Sequence, residues 1–147
     1  MNKPILILTV GLPRSGKSMW CTAMINKKGF VVVNPDSIRL ALHGERFNSS
    51  REQEVWTIVD VMIRSLFLAG HEYVILDATN VSRKRRRKYT SPEWDTKYKV
   101  CYTGMQECIE RAKADNKEDL VPIIIRMSKN YQPLAEEELK DEWKCLE

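Results

Sequence analysis

Eight residues, Gly11-Leu12-Pro13-Arg14-Ser15-Gly16-Lys17-Ser18, follow directly on an apolar run at 4–10 that reads PILILTV. They match the pattern GxxxxGK[ST], which constrains the fold more than anything else in the chain because it requires a strand before it and a helix after it. Gly11 and Gly16 allow backbone geometry closed to other residues, so successive N–H groups can curl around an anion. A helix opening near Lys17 points its positive end at the same place. Lys17 is then in reach of the β- and γ-phosphates of a nucleoside triphosphate, and the Ser18 hydroxyl suits Mg2+. Leu12, Pro13, Arg14, Ser15 and Met19 complete the segment expected to touch the nucleotide. A chance match in a chain of this length has odds of roughly one in a few hundred.

The rest of the sequence alternates strand and helix patterns. The run at 4–10 is apolar throughout, as in a strand covered on both faces of a parallel sheet. A helix is expected over 18–26, stopped by Lys27, Lys28 and Gly29. Short strands are expected at 30–33 and 73–76, and a fourth at 97–102. Asp36 can cap a helix through Leu42. The longest helix is expected over 50–69, with Val55, Ile58, Val59, Met62, Ile63 and Leu66 on one face. Further helices are expected at 82–89, 106–116, 122–131 (with Pro122 in its first turn) and 136–145. This order predicts an α/β fold: a P-loop NTPase-type parallel sheet flanked by helices on both faces, in one domain over 1–147 with an acidic tail from about 133. Ligands of such sheets bind beyond the carboxyl ends of the strands, which directs attention to the residues after Val10, Val33 and Leu76.

Composition narrows the class of partner. The chain has 147 residues, 43% hydrophobic and 30% charged, with net charge +4. Arg83 to Lys88 are six consecutive basic residues, and without them the remaining chain carries −2. One basic spot on a near-neutral body suggests a local anionic partner. No stretch approaches the ~20 apolar residues of a membrane span, and the start lacks a leader pattern, so a cytoplasmic protein without membrane attachment is expected. Cys21, Cys101, Cys108 and Cys145 form no CxxC pair, so reduced thiols rather than zinc ligation are expected. The methionines read as core filling, and Trp20, Trp56 and Trp143 as packed in the core or along helix faces.

A phosphate loop alone does not separate a kinase from an NTPase or a switch. After the second strand comes Asn34-Pro35-Asp36-Ser37-Ile38-Arg39, with a carboxylate where an acceptor hydroxyl would lie and an arginine one helical turn further on. Asp36 could orient that hydroxyl and take its proton, and Arg39 could contact a substrate phosphate. A helix cap and a solvated charge are the competing roles. After the third strand, Asp77-Ala78-Thr79-Asn80 offers an acid able to hold Mg2+ through water, or alternatively a structural turn. In the basic run, Arg83, Arg85, Arg86 and Arg87 are candidate nucleic-acid contacts, with Tyr89 and Trp94 available to stack on a base. An ordinary solvated basic helix is the alternative.

Taken together, GLPRSGKS, NPDSIR, LDATN with basic residues after it, and VPIIIRM resemble the polynucleotide 5′-kinase family, phage members included. The resemblance covers the chain to about Tyr131. It implies an ATP- and Mg2+-dependent transfer to a polynucleotide 5′-hydroxyl of DNA or RNA. Lys17 and Ser18 would bind nucleotide and metal, Asp36 would be the general base, Arg39 would touch a nucleotide phosphate, and Asp77 would support the acceptor site. No phosphatase half is implied. The family's lid has two arginines spaced RxxxR. Here Arg111 matches the first, Asp115 stands in the second place, and Lys113, Lys117 and Arg126 are possible substitutes. A kinase acting on a hydroxymethylated base in DNA, a kinase of a small nucleoside or sugar, and a non-catalytic nucleotide-binding module are the rival functions. Oligomeric state is left open.

Overall fold

A computed structural model describes residues 2–44 and 47–144. The six-residue strand β1 (Ile5–Val10) runs into the phosphate loop and then α1 (Lys17–Lys28). After β2 (Val31–Val33) come α2 (Pro35–His43), a 3-10 turn (Ser49–Arg51) and the long α3 (Glu52–Leu68). Next are β3 (Tyr73–Leu76), α4 (Arg83–Lys88) and β4 (Asp95–Val100). The chain finishes with α5 (Met105–Ala114), a second 3-10 turn (Glu118–Leu120), α6 (Val121–Asn130) and the single turn α7 (Glu136–Leu139). The four strands of the sheet pair in parallel, in the order β2-β3-β1-β4.

Side chains alternate across a strand, and β1 shows what that does to an all-apolar sequence. Leu6, Leu8 and Val10 face α3, where Val55, Val59 and Ile63 pack with Val33, Val74 and Leu76. Ile7 and Ile75 face the other way, onto Cys21 and Met24 of α1. Helices therefore cover both faces, and all four strands end on the same edge. A third cluster, in which Cys108, Ile109, Ala112 and Ile124 surround Leu12, holds α5 and α6 against the phosphate loop. No helix among the described residues is long and apolar enough to cross a membrane.

Several sequence expectations change. Met62, expected on the inner face of α3, is exposed, because the buried stripe is Val55, Val59 and Ile63, with Ile58 and Leu66 half-buried against the same core. The methionines divide: Met24 is core, whereas Met19 is 80% exposed and Met105 also faces solvent. The helix expected at 136–145 stops at Leu139. Beyond it the backbone runs beside the free edge of β4, where Tyr98 N–H donates to Asp141 O (3.0 Å) and Trp143 N–H to Tyr98 O (2.6 Å). An open strand edge offers unpaired groups, and the extended path lets Trp143 enter an aromatic cluster with Trp20, Phe30 and Tyr73. Cys145 lies outside the described residues.

Candidate functional site

The phosphate loop forms as its glycines predict. Gly16 has φ 104, and a Cβ on Gly11 would lie 2.6 Å from Ser15 Oγ and 3.0 Å from Cys101 O. Arg14, without glycine's freedom, also takes a left-handed φ of 68. Lys17 is buried, and its ammonium donates to Gly11 O (2.9 Å), Leu12 O (2.6 Å) and Ser15 Oγ (3.3 Å). Burial lowers its pKa below the ordinary lysine value, opposed by the charge of Asp77. Arg14, Ser18 and Met19 line a cleft of about 320 Å3 with Lys17, Arg111 and Asp115.

Asp77 lies at the end of β3 beside the loop. Ser18 Oγ donates to Asp77 Oδ2 (3.5 Å), and Asn34 Nδ2 donates to the same oxygen (3.1 Å). Thr9, buried within β1, has its hydroxyl 3.4 Å from Asp77 Oδ1. A hydroxyl and a carboxylate, both hard oxygen donors, thus stand side by side at the mouth of an anion cradle. Mg2+ usually takes one or two protein oxygens and fills its other positions with water and phosphate, so the donor set fits Mg2+ with a nucleotide.

Across the cleft, Asn34 rather than Asp36 caps α2: its side chain accepts from Ser37 N–H (3.1 Å). Asp36 is therefore free of the capping role, and its side chain is 55% exposed. It accepts one hydrogen bond, from Arg39 Nη1 at 2.8 Å. Arg39 is held more firmly by Glu52, through Nε to Oε2 (2.9 Å) and Nη2 to Oε1 (2.6 Å). For Glu52, the hydrogen bonds from Arg39 hold the carboxyl below the usual carboxylate range. Burial acts against the Arg39 cation, but Glu52 and Asp36 outweigh it and raise its pKa. Sequence reading missed Glu52. Its only signals are its place in the first turn of α3 and its spacing of four from Trp56, whose Nε1–H donates to Glu52 Oε1 (3.3 Å).

The basic run does not form one uniform ridge. Arg86 is wholly buried and bonds to both Glu138 oxygens (2.8 and 3.1 Å) and to the carbonyls of Asn80, Gln132 and Pro133. It is an interior anchor for the C-terminal segment, and its expected nucleic-acid contact is ruled out by burial. Arg83 leans on Pro133 O (3.4 Å). Arg87 is exposed, and the half-buried Arg85 stacks on Trp56. Tyr89 and Trp94, expected to stack on bases, are instead core residues. The Tyr89 hydroxyl donates to Asp60 (2.8 Å) and Trp94 Nε1–H to Tyr89 O (2.9 Å). Trp56 packs half-buried along α3 against the core, as expected, with Arg85 over its ring and its Nε1–H on Glu52.

Over the loop, Arg111 Nη1 donates to Arg14 O (3.2 Å) and Nη2 to Glu107 (2.8 Å). Asp115 pairs with Arg14 itself. Lys113, Lys117 and Arg126 are exposed and make no side-chain ion pair among the described residues. Cys21, Cys101 and Cys108 are free thiols, and burial raises the pKa of each.

A parallel sheet in the order 2-3-1-4, with a phosphate loop after its first strand and an acid closing its third, defines a P-loop kinase-type domain. The chain belongs to the AAA domain family AAA_33, whose model matches residues 6–122. Its structure is similar to a chain of the Pnkp1/Rnl/Hen1 complex, at 28% identity and TM-score 0.69, covering 76% of this chain and 40% of that one. This chain thus spans about two fifths of that relative, and the polynucleotide-kinase resemblance seen in the motifs is borne out. A gluconokinase from Sinorhizobium meliloti 1021 (18% identity, TM-score 0.60, covering 94% and 81%) shares the fold. So does the Mycobacterium tuberculosis APS kinase CysC, solved with AMPPNP and APS (20% identity, TM-score 0.61, covering 91% and 85%). No curated protein sequence matches.

Proposed function

We propose that this domain is a Mg2+-dependent phosphotransferase that moves the γ-phosphate of ATP to the 5′-hydroxyl end of a polynucleotide. The observation that carries this reading is the Asp36–Arg39 pair at the end of β2, with Asp36 free of the helix cap and open to solvent. Asn34, two residues earlier, bonds to Asp77, and Asp77 to Ser18, so the acceptor side and the phosphate side are joined by direct hydrogen bonds. Similarity to the Pnkp1/Rnl/Hen1 complex supports the same acceptor class.

Each residue then has a task. The loop amides and Lys17 hold the phosphates, and Arg111 stands over them as a further cation. Ser18, and Asp77 through water, would hold Mg2+, which supplies charge neutralisation across the β- and γ-phosphates. Asp36 accepts the proton of the attacking hydroxyl. Arg39, kept oriented by Glu52, presents a guanidinium to the acceptor's adjoining phosphate. Because Asp36 lies on an open surface, a long acceptor can reach it without entering a closed pocket.

The test is to incubate the protein with labelled ATP, Mg2+ and a panel of 5′-hydroxyl oligonucleotides, hydroxymethylated duplexes, nucleosides and sugars. Labelling of the oligonucleotides is expected. Asp36→Asn should lower kcat by roughly 10²–10⁴-fold with ATP affinity unchanged. Labelling confined to nucleosides or sugars would assign a small-molecule kinase, and a full rate in Asp36→Asn would remove Asp36 from the base role.

A further inference from the structure

Trp56 on α3 and Arg85 on α4 are separated by 29 positions, yet the Arg85 guanidinium carbon lies 3.8 Å from the centroid of the Trp56 ring. That is close stacking for a cation on an indole face. The indole is fixed from other sides. Its N–H donates to Glu52, its ring lies 6.3 Å from that of Tyr89 at 45°, and Tyr89 is tied down by Asp60. Glu52 in turn grips Arg39, and the exposed Phe47 ring lies 6.0 Å from the Arg39 guanidinium carbon. Phe47, Arg39, Trp56 and Arg85 are thus linked in a series that starts beside Asp36, with the Glu52 carboxylate bridging Arg39 and Trp56.

The two arginines of this row differ. Arg39 has two carboxylate partners, whereas Arg85 has no ion pair among the described residues. Lys84, Arg87 and Lys88, its neighbours on α4, are exposed and likewise have no ion pair among the described residues. A guanidinium centred over an indole, with no carboxylate at ion-pair distance among the described residues, is suited to a planar, electron-rich ligand attached to an anion. Single-stranded nucleic acids are bound in this way, with bases on aromatic or guanidinium planes and phosphates on a cationic groove. An acidic peptide would need the charge but not the aromatic ring beneath it.

We propose that the Trp56–Arg85 stack is a base-binding subsite for a single-stranded acceptor, engaging a nucleotide further along the strand than the one at Asp36. The exposed cations of α4 hold the backbone beside it. The inference rests on the polynucleotide reading above and adds strand length and single-strandedness to it.

The test measures binding and turnover separately. A 3′-fluorescein 12-nucleotide single strand with a 5′-hydroxyl, made as DNA and as RNA, is titrated by anisotropy into wild type, Arg85→Ala, Arg85→Lys and Lys28→Ala, the last removing an exposed cation on α1. Circular dichroism checks that each variant is folded. Arg85→Ala and Arg85→Lys should both weaken at least one of the two strands by about tenfold, and Lys28→Ala should change it less than twofold. In turnover, the ratio of KM in Arg85→Ala to that of wild type should rise from a two-nucleotide to a twelve-nucleotide acceptor, with kcat little changed. Wild-type binding in Arg85→Lys would mean that charge alone suffices and would overturn the stacking subsite. Phosphorylation of the 12-mer with equal KM in every variant would overturn the subsite while leaving the proposed activity standing. Arg85-dependent binding with no phosphorylation would keep the subsite and remove the activity, and absence of both would remove both.

Discussion

The phosphate loop holds two cations in eight residues and α4 holds six in six, yet the loop's cations serve one cleft while those of α4 disperse. Lys17 curls back onto its own loop, and Arg14 points to the rim of the same cleft. In α4, Arg86 enters the interior, Arg83 leans on the C-terminal segment, Arg85 stacks on α3, and Arg87 stays in solvent. Much of the loop's geometry is closed by contacts among residues 11–17, with Thr79, Cys101, Thr103 and Arg111 bracing it from outside, so its function travels largely with its sequence. A six-residue helix spreads like charges around its whole circumference at about 100° per residue. Which of them turns inward depends on what waits there, and what waits for Arg86 is Glu138, 52 positions later.

The sharpest way to break this contrast is to remove the interior member of α4. Arg86→Ala leaves the Glu138 carboxylate buried without its cation and should cost about 3–5 kcal/mol of stability. The adjacent Arg87→Ala should stay within about 0.5 kcal/mol, and urea unfolding of the pair measures both. Equal losses would mean that Arg86 is no more an anchor than its neighbour. The same pair sets a pH dependence. Burial alone would raise the Glu138 carboxyl, but hydrogen bonds from Arg86 and from Ala135 N–H outweigh it and hold the pKa below the ordinary value. The folded carboxyl thus binds its proton less readily than the unfolded one. Its stabilisation is present above about pH 4.3 and is lost as pH falls through the lowered folded value. Melting curves from pH 7 down to 3 should show that acid loss in the wild type and a shallower one in Arg86→Ala.

Within the loop, Gly11→Ala sharpens the comparison at a smaller scale. The new methyl would meet Ser15 Oγ and the Cys101 carbonyl, so a loss of about 1–3 kcal/mol is expected, accompanied by weaker ATP binding in a calorimetric titration. Unchanged ATP binding would show that the loop tolerates crowding and is less self-determined than its contacts imply. The smallest effect concerns the rim, where the two kinds of region meet. Asp115 places a carboxylate beside the nucleotide cleft and engages Arg14. Exposed pairs of this kind are worth about 0.2–1 kcal/mol, so Asp115→Ala should tighten ATP binding by about two- to fivefold. Weaker binding would instead make Asp115 a support that Arg14 needs in order to hold its left-handed backbone.

What the sequence determined by itself is whatever depends on neighbours along the chain. The strand–loop–helix around residues 11–18, the parallel α/β order, the acid at 77 and the Asp36–Arg39 spacing were all legible, because periodicity, glycine geometry and one-turn spacing are local properties. Tertiary structure alone decided that Asn34, the local cap of α2, also reaches Asp77, and that Glu52 takes hold of Arg39. It also sent Tyr89 and Trp94 into the core while leaving Trp56 half-buried beneath Arg85, and it laid residues 141–143 against β4. Each of these outcomes reflects competition for a partner brought close by folding: a buried charge needs its counter-ion, an open strand edge needs hydrogen bonds, and a ring packs where there is space for it. Those partners lie from 13 to more than 40 positions away, outside the local windows in which periodicity and turn signals are read.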